Sequence, residues 1–177
     1  MLTRSLGRIS QIAFATRDME ASLDHFSRNL GVGPWFVLPH GKLSARYRGA
    51  ACDAELIVAF ANCNGLEFEM MHQTNAAPSI WKDFLAGCAE RERFHHGCQR
   101  TADYPAMLPV LAAADYEMVF EGETPRGRFS YFDHPDHPGA YLELLEHTPS
   151  RQAMYAHVLA AAQDWDGQDP VRPMPPV

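Results

Sequence analysis

The stretch Phe94-His95-His96-Gly97-Cys98-Gln99 opens the second half of this chain. Two adjacent histidines stand at the start of a short apolar run, directly after a loop of charge, Glu90-Arg91-Glu92-Arg93. Side chains alternate across a strand, so only one of the two imidazoles is expected to face a given side. Taken alone, such a pair is more often a surface or satisfied core feature than a site. What lifts it is an echo in the first half. There Gln11 is the polar residue inside the apolar stretch Ile9-Ser10-Gln11-Ile12-Ala13-Phe14. Gln11 precedes Asp18 by seven positions, and His96 precedes Asp103 by seven. Both aspartates read as helix N-caps.

Working outward, each half reads as strand, helix, then further strands. In the first half, residues 8–16 form a strand. Asp18 caps a helix whose apolar stripe is Met19, Leu23, Phe26 and Leu30, with Gly31 at its C-cap and Gly33-Pro34 as the stop. Strands follow at 35–39, 43–48 (the weakest), 54–61 and 66–72. The last two read as a hairpin closed by a loop of about four residues, Asn62-Cys63-Asn64-Gly65. In the second half, residues 95–101 form a strand. Asp103 opens a helix with Met107, Leu108, Leu111 and Ala112 as its stripe, and Pro109 is expected to bend or shorten it. Strands follow at 116–121, 128–133 and 140–146.

The closing strands also match, Glu69-Met70-Met71-His72-Gln73-Thr74 against Glu143-Leu144-Leu145-Glu146-His147-Thr148. From Gln11 to Glu69 is 58 positions and from His96 to Glu143 is 47, so the first half carries eleven extra residues, expected in loops. The fold class is therefore α+β, a fused pair of modules, each a strand, a helix and then three or four strands. The first module spans 1–75 and the second 94–148. Residues 76–93 form a connector, including a helix from Pro78-Ser79 through Gly87 that is expected to lie over the surface. Residues 149–177 form a C-terminal helix, capped by Thr148-Pro149, and an extended tail with four prolines.

The chain has 177 residues, 46% hydrophobic and 21% charged, an ordinary globular balance. A net charge of -7 argues against a nucleic-acid partner, which needs a basic face. No apolar run approaches the ~18 residues of a membrane span, and residues 1–6 lack the apolar core of a secretory signal. Cys52, Cys63, Cys88 and Cys98 form no CxxC pair and read as reduced thiols of a cytoplasmic protein.

If each module lends its first and last strand to the cleft, Gln11, Glu69, His96 and Glu143 converge. A buried carboxylate costs several kcal/mol unless it is paired or bound to a cation. Two carboxylates, an imidazole and an amide oxygen form an acceptable site for a divalent metal: zinc, nickel, cobalt, manganese or iron by ligand type.

With these residues in place the chain resembles the vicinal oxygen chelate superfamily, which includes glyoxalase I, methylmalonyl-CoA epimerase, extradiol dioxygenases and bleomycin-resistance proteins. The carriers are Ile9–Phe14 with Arg17-Asp18-Met19-Glu20, then Leu30-Gly31-Val32-Gly33-Pro34-Trp35-Phe36, Phe68-Glu69-Met70-Met71, His95-His96 and Tyr141-Leu142-Glu143-Leu144-Leu145. The match runs over roughly residues 8–147 and is nearest to the glyoxalase-like branch close to the epimerases. The resemblance implies an α+β fold of two paired βαβββ modules forming an open barrel-like sheet around a shared cleft. It selects His96 over His95 as the ligand, and zinc or nickel as the leading metals. Many relatives carry histidine where this chain has Gln11. The set Gln11, Glu69, His96 and Glu143 is similar to that of eukaryotic-type glyoxalase I.

By the same resemblance the expected activity is that of a metal-dependent isomerase, epimerase or lyase, acting on a small carbonyl or thioester substrate through an enolate-type intermediate. Glu143 is the first choice as the base and Glu69 the second, with Glu67 as a spare. Two alternatives stand beside it: an extradiol-type dioxygenase, and a metal-free binding protein of the bleomycin-resistance kind. Trp35, Tyr47, Arg48 and Phe129 are expected to form substrate walls, although core packing explains the aromatics equally well. His72 and His40 are candidates for the cleft mouth, with an ordinary structural role the commoner reading for such histidines. His134 and His137 read as residues of a solvated loop. The sequence leaves a homodimer open, and the C-terminal helix is free to pack on its own sheet or on a partner's.

Overall fold

The structure, a computed structural model of the chain, describes residues 7–42, 44–136 and 139–176, without the side chains of 39–42. The side chain of His40 and all of His137 therefore lie outside the described part. In chain order the elements are β1 (Gln11–Thr16), α1 (Met19–Leu30), β2 (Trp35–Lys42), β3 (Ser44–Tyr47), β4 (Ala50–Cys52), β5 (Glu55–Cys63), β6 (Leu66–Gln73), α2 (Ile80–Leu85), β7 (Glu92–Thr101), α3 (Tyr104–Ala112), β8 (Glu117–Thr124), β9 (Gly127–Asp133), β10 (Tyr141–Glu146), α4 (Pro149–Ala162) and β11 (Val171–Pro173).

Local chemistry sets the element ends. Asp18 accepts from the Ala21 N–H at 3.0 Å, satisfying a free donor of the first turn of α1. Gly31 ends that helix in the left-handed region, at φ 66°. Asp103, Ser79 and Thr148 cap the other three helices in the same way. The β5–β6 hairpin turns through two residues rather than four. Asn64 and Gly65 both have positive φ, 52° and 85°, as a tight primed turn requires. Pro109 lies inside α3 on its exposed side, and the helix runs on to Ala112.

Among the described residues the sheet is open and carries eleven strands in the order β11-β2-β5-β6-β1-β7-β10-β9-β8-β3-β4. Its heart is two copies of one unit, β2-β5-β6-β1 and β8-β9-β10-β7, joined where β1 runs antiparallel to β7. In each copy the first strand is parallel to the last, β1 to β6 and β7 to β10. This is the paired βαβββ fold.

The additions lie at the edges. The β3–β4 hairpin leaves the first unit and pairs with β8 of the second, Ala45 against Gly122 and Tyr47 against Phe120. It holds the extra length of the first half as ordered strand rather than loop. The tail adds β11 to β2, where the Trp35 N–H donates to the Pro170 carbonyl at 2.8 Å.

The two faces of the sheet have separate cores. Outside, α1 covers Trp35, Ala59, Ala61 and Met70 through Leu23 and Phe26. On the same face α3 packs Tyr104 and Leu111 on Phe132 and Leu144. Inside, α2 and α4 fill the concave side. Ile80 and Trp81 are fully buried among Met71, Phe120 and Tyr131. The expected surface connector is thus a core element, because Trp81 buries its ring and donates its Nε1–H to Met71 Sδ at 3.0 Å. Helix α4 packs Met154, Tyr155 and Val158 on Phe36 and Phe60 of its own sheet. All four cysteines are free thiols. Among the described residues no helix is long and apolar enough to cross a membrane.

Candidate active site

The four polar residues singled out in the sequence stand on four adjacent strands, β6, β1, β7 and β10. Register places them on one face. Ala13 lies beside Glu69 on one side and His96 on the other, and Gln11 and Glu143 both lie beside Cys98. Ala13 has no bulk, so Glu69 and His96 meet across it. All four are buried: Gln11 and His96 at 0% exposure, Glu143 at 4% and Glu69 at 7%.

The geometry is tight. His96 Nε2 lies 3.3 Å from Glu69 Oε2 and 3.2 Å from Glu143 Oε2. Neither contact meets hydrogen-bond geometry at Nε2, and both His96 Nε2 and Glu143 Oε2 are buried without a hydrogen-bond partner. The three ligand atoms lie within 4.8 Å of one another. Gln11 Nε2 donates to Glu69 Oε2 at 3.0 Å, and Tyr155 donates to Gln11 Oε1 at 3.3 Å.

Electrostatics reflect this crowding. Burial alone would lower the His96 pKa, but Glu143 and Glu69 outweigh it and leave it at about 9. Burial, with Glu143 adding to it, raises Glu69 above the ordinary carboxylate range. Burial works in the same direction on Glu143, yet His96, Tyr131 and Cys98 together hold it below that range.

These residues suit a divalent cation. Two carboxylates and one imidazole leave net negative charge in a dry place, which a cation or a proton on His96 must offset. Bonds of about 2.0–2.2 Å to a tetrahedral ion set neighbouring donor atoms roughly 3.3–3.6 Å apart. The two His96 contacts are already close to that spacing. Gln11 presents its nitrogen to the cluster, so its amide would have to turn over for oxygen to bind, with Tyr155 then accepting from the nitrogen.

The histidine pair departs from simple alternation. Register slips between Ala13 and Phe14, so that Ala13 faces His96 while Phe14 faces Phe94, and His95 is the extra residue of a β-bulge. Both imidazoles therefore enter the concave side. His95 packs among Trp81, Phe84, Tyr131 and Tyr141, and its Nδ1 lies 3.0 Å from His96 Nδ1. Burial, then the neighbouring His96, lowers its pKa well below the ordinary value, so it is neutral. Its role at His96 carried no sequence signal, since a bulge depends on the partner strand.

A cavity of about 300 Å³ opens over Glu69 and Glu143, within the range of small-molecule sites. Its wall is largely apolar: Leu38, Leu56, Val58, Phe60, Met71 and Phe129, with Trp81 from α2 and Met154 and Tyr155 from α4. Of the expected wall residues, Phe129 lines it. Trp35 lies on the outer face, under α1. Tyr47 is in the inner core and donates to Asp83 at 2.6 Å, while Arg48 lies exposed over the Tyr47 ring. His72 faces a second cavity beside α2, with Nδ1 3.0 Å from the Thr16 carbonyl. Glu67, beside Gln11 in the sheet, is paired with Arg100. Tyr131, Tyr155 and Arg126 line the cavity without having been singled out in the sequence. The pairing of Phe129 and Tyr131 on one face of Arg128-Phe129-Ser130-Tyr131-Phe132-Asp133 was the available signal for the first.

A family profile described as Glyoxalase/Bleomycin resistance protein/Dioxygenase superfamily matches residues 10–132. The chain belongs to that superfamily. No curated protein sequence matches it. Among solved structures, methylmalonyl-CoA epimerase from Mycobacterium tuberculosis aligns with a TM-score of 0.56 at 15% identity, over 81% of this chain and 90% of that one. A hypothetical protein from Bacillus halodurans C-125 aligns at 0.57 and 16%, over 80% and 94%. A variant of Streptomyces coelicolor methylmalonyl-CoA epimerase, in complex with 2-nitronate-propionyl-CoA, aligns at 0.54 and 18%, over 81% and 96%. At these identities the likeness is one of fold.

Proposed function

We propose that this chain is a metal-dependent isomerase, epimerase or lyase that removes a proton from the carbon next to a carbonyl of a small carbonyl or thioester substrate. The observation that carries this reading is that His96 Nε2, Glu69 Oε2 and Glu143 Oε2 lie within 4.8 Å of one another, with Glu69 and Glu143 in the wall of a largely apolar cavity. His96, Glu69 and Glu143 would hold the ion, with Gln11 as a fourth donor once its amide is turned. A bound divalent cation, zinc or nickel first, supplies stabilisation for the negative charge that grows on the substrate oxygen. Glu143 is put first as the base and Glu69 second, because the Glu143 carboxylate lines the cavity and its Oε2 is buried without a hydrogen-bond partner among the described residues. The apolar wall excludes water from the carbon that loses its proton. Tyr155 holds the Gln11 amide, which donates to Glu69 Oε2 in the orientation seen and would present its oxygen instead once turned toward an ion.

A specific observation supports a second reading, a metal-free binding protein. With a pKa of about 9, His96 carries a proton at neutral pH and offsets one of the two carboxylates, while burial pushes Glu69 toward its neutral form. An extradiol dioxygenase ranks lower. That chemistry uses two histidines and a carboxylate, and here the second imidazole is turned toward His96 rather than toward the cluster.

The test is metal analysis of freshly purified protein beside His96→Ala and Glu143→Ala variants, followed by deuterium uptake from heavy water into a panel of carbonyl compounds and acyl thioesters. About one divalent ion per chain, lost in both variants, is the expected result. Exchange of the proton next to the carbonyl should disappear with the metal. Wild-type protein that takes up no metal even after supplementation would leave the binding-protein reading in possession of the site.

A further inference from the structure

Four arginines stand on or near the cavity, and three are committed. Arg151 donates to the backbone carbonyls of Glu146, Arg128 and Gly127. Arg128 holds Glu146. Arg100 holds Glu67 and stacks on the Tyr155 ring at 3.7 Å. Arg126 is different. It lines the cavity at the β8–β9 turn, its Nε is shielded from solvent, and among the described residues its guanidinium has no hydrogen bond or ion pair. Glu123 shares that rim without pairing with it.

A guanidinium carries five donors and keeps its charge at any physiological pH. Leaving one of them dry and unmatched in a pocket wall is unfavourable unless a ligand completes it. Position adds the second constraint. Tyr131 lies opposite Glu143 in the sheet, and Gly127, next to Arg126, lies four residues earlier on the same strand, roughly 13 Å away at the rise of an extended strand. The cavity lining is largely apolar, with Leu38, Phe60, Phe129 and Met154 contributing to it, and Arg151 on the same wall is committed to backbone carbonyls.

We infer that the substrate is an elongated apolar acid: its carbonyl end lies at Glu69, His96 and Glu143, and a carboxylate at its far end is bound by Arg126. The planar fork of the guanidinium matches a carboxylate in two parallel hydrogen bonds. This inference rests on the reading of the cavity as the substrate site, but not on a metal or on proton transfer.

Equilibrium binding tests it directly, with two probes of the same body, 4-phenylbutyrate and 4-phenylbutan-1-ol. Wild-type protein should bind the acid about tenfold or more tightly than the alcohol, the scale of a charge-assisted pair. Arg126→Gln should lose that preference while keeping its affinity for the alcohol, and Arg126→Lys should restore part of it. Circular dichroism of each variant verifies the fold. Glu143→Gln should keep the preference, so a failure of the enzyme reading and a failure of this inference give different results. Equal binding of acid and alcohol, a preference that survives Arg126→Gln, or binding of neither probe overturns it. So does coenzyme A binding that depends on Arg126 when 4-phenylbutyrate does not bind, since the anion would then be a phosphate.

Discussion

His95 turns on a single inserted residue. Strict alternation would send its ring to the outer face, away from His96. The bulge brings it inside, where four aromatic rings surround it and Nδ1 meets Nδ1. A neighbour of this kind fixes the orientation and tautomer of a ligand imidazole. His95→Phe keeps the ring and its packing but removes the nitrogen. We expect a fold close to wild type by circular dichroism, and metal affinity lowered about tenfold or more in chelator competition. Unchanged affinity would reduce the pair to a packing feature. At the same scale, Gln11, Glu69, His96 and Glu143 were legible as polar residues inside apolar strands, because burial of such groups demands a partner.

At the scale of elements, Glu146 ties β10 to β9. Its carboxylate accepts from Arg128 Nη2 at 2.7 Å, Arg128 Nε at 3.1 Å and the Arg128 N–H at 3.0 Å. The same side chain and backbone bonds pull its pKa down to about 2. A folded pKa below the unfolded value of 4.5 means stability that is present above pH 4.5 and lost as pH falls through 2. Glu146→Gln should therefore cost roughly 1 kcal/mol at pH 7, where the partly exposed pair is weakened by solvent. The gap from wild type should close as pH drops toward 2. Urea midpoints at pH 7, 4 and 2.5 measure this; a gap that stays constant would mean that charge has no part in it. Helix α2 carries the contrasting lesson. Its cap at Ser79 was readable, but its burial was not, since six residues give too short a stripe to show which face packs.

At the scale of the molecule, the two units are locked together twice. The central β1–β7 pair joins them, and the β3–β4 hairpin crosses from the first unit to the edge of the second. Tyr47 joins the same inner core as Phe120 and Trp81. Neither half therefore closes its own sheet. Residues 1–75 and 94–177 expressed separately should each lack a cooperative urea transition, while the full chain shows one transition by both tryptophan fluorescence and circular dichroism. A half that unfolds cooperatively on its own would show that the crossing hairpin is dispensable.

The repeat, the fold class and the four polar positions follow from sequence alone because each depends on local periodicity, on caps, and on the penalty for burying a charge. Asp18 and Asp103 mark the same place in two units whatever the rest of the chain does. The tertiary structure alone decided which faces meet. It put Trp35 under α1 and brought His95 inside. It sent the β3–β4 hairpin to the far edge, folded α4 onto its own sheet, and left Arg126 unmatched on the cavity wall. Those outcomes depend on register, bulges and crossings between residues distant in the chain, and no local pattern in the sequence carries that information.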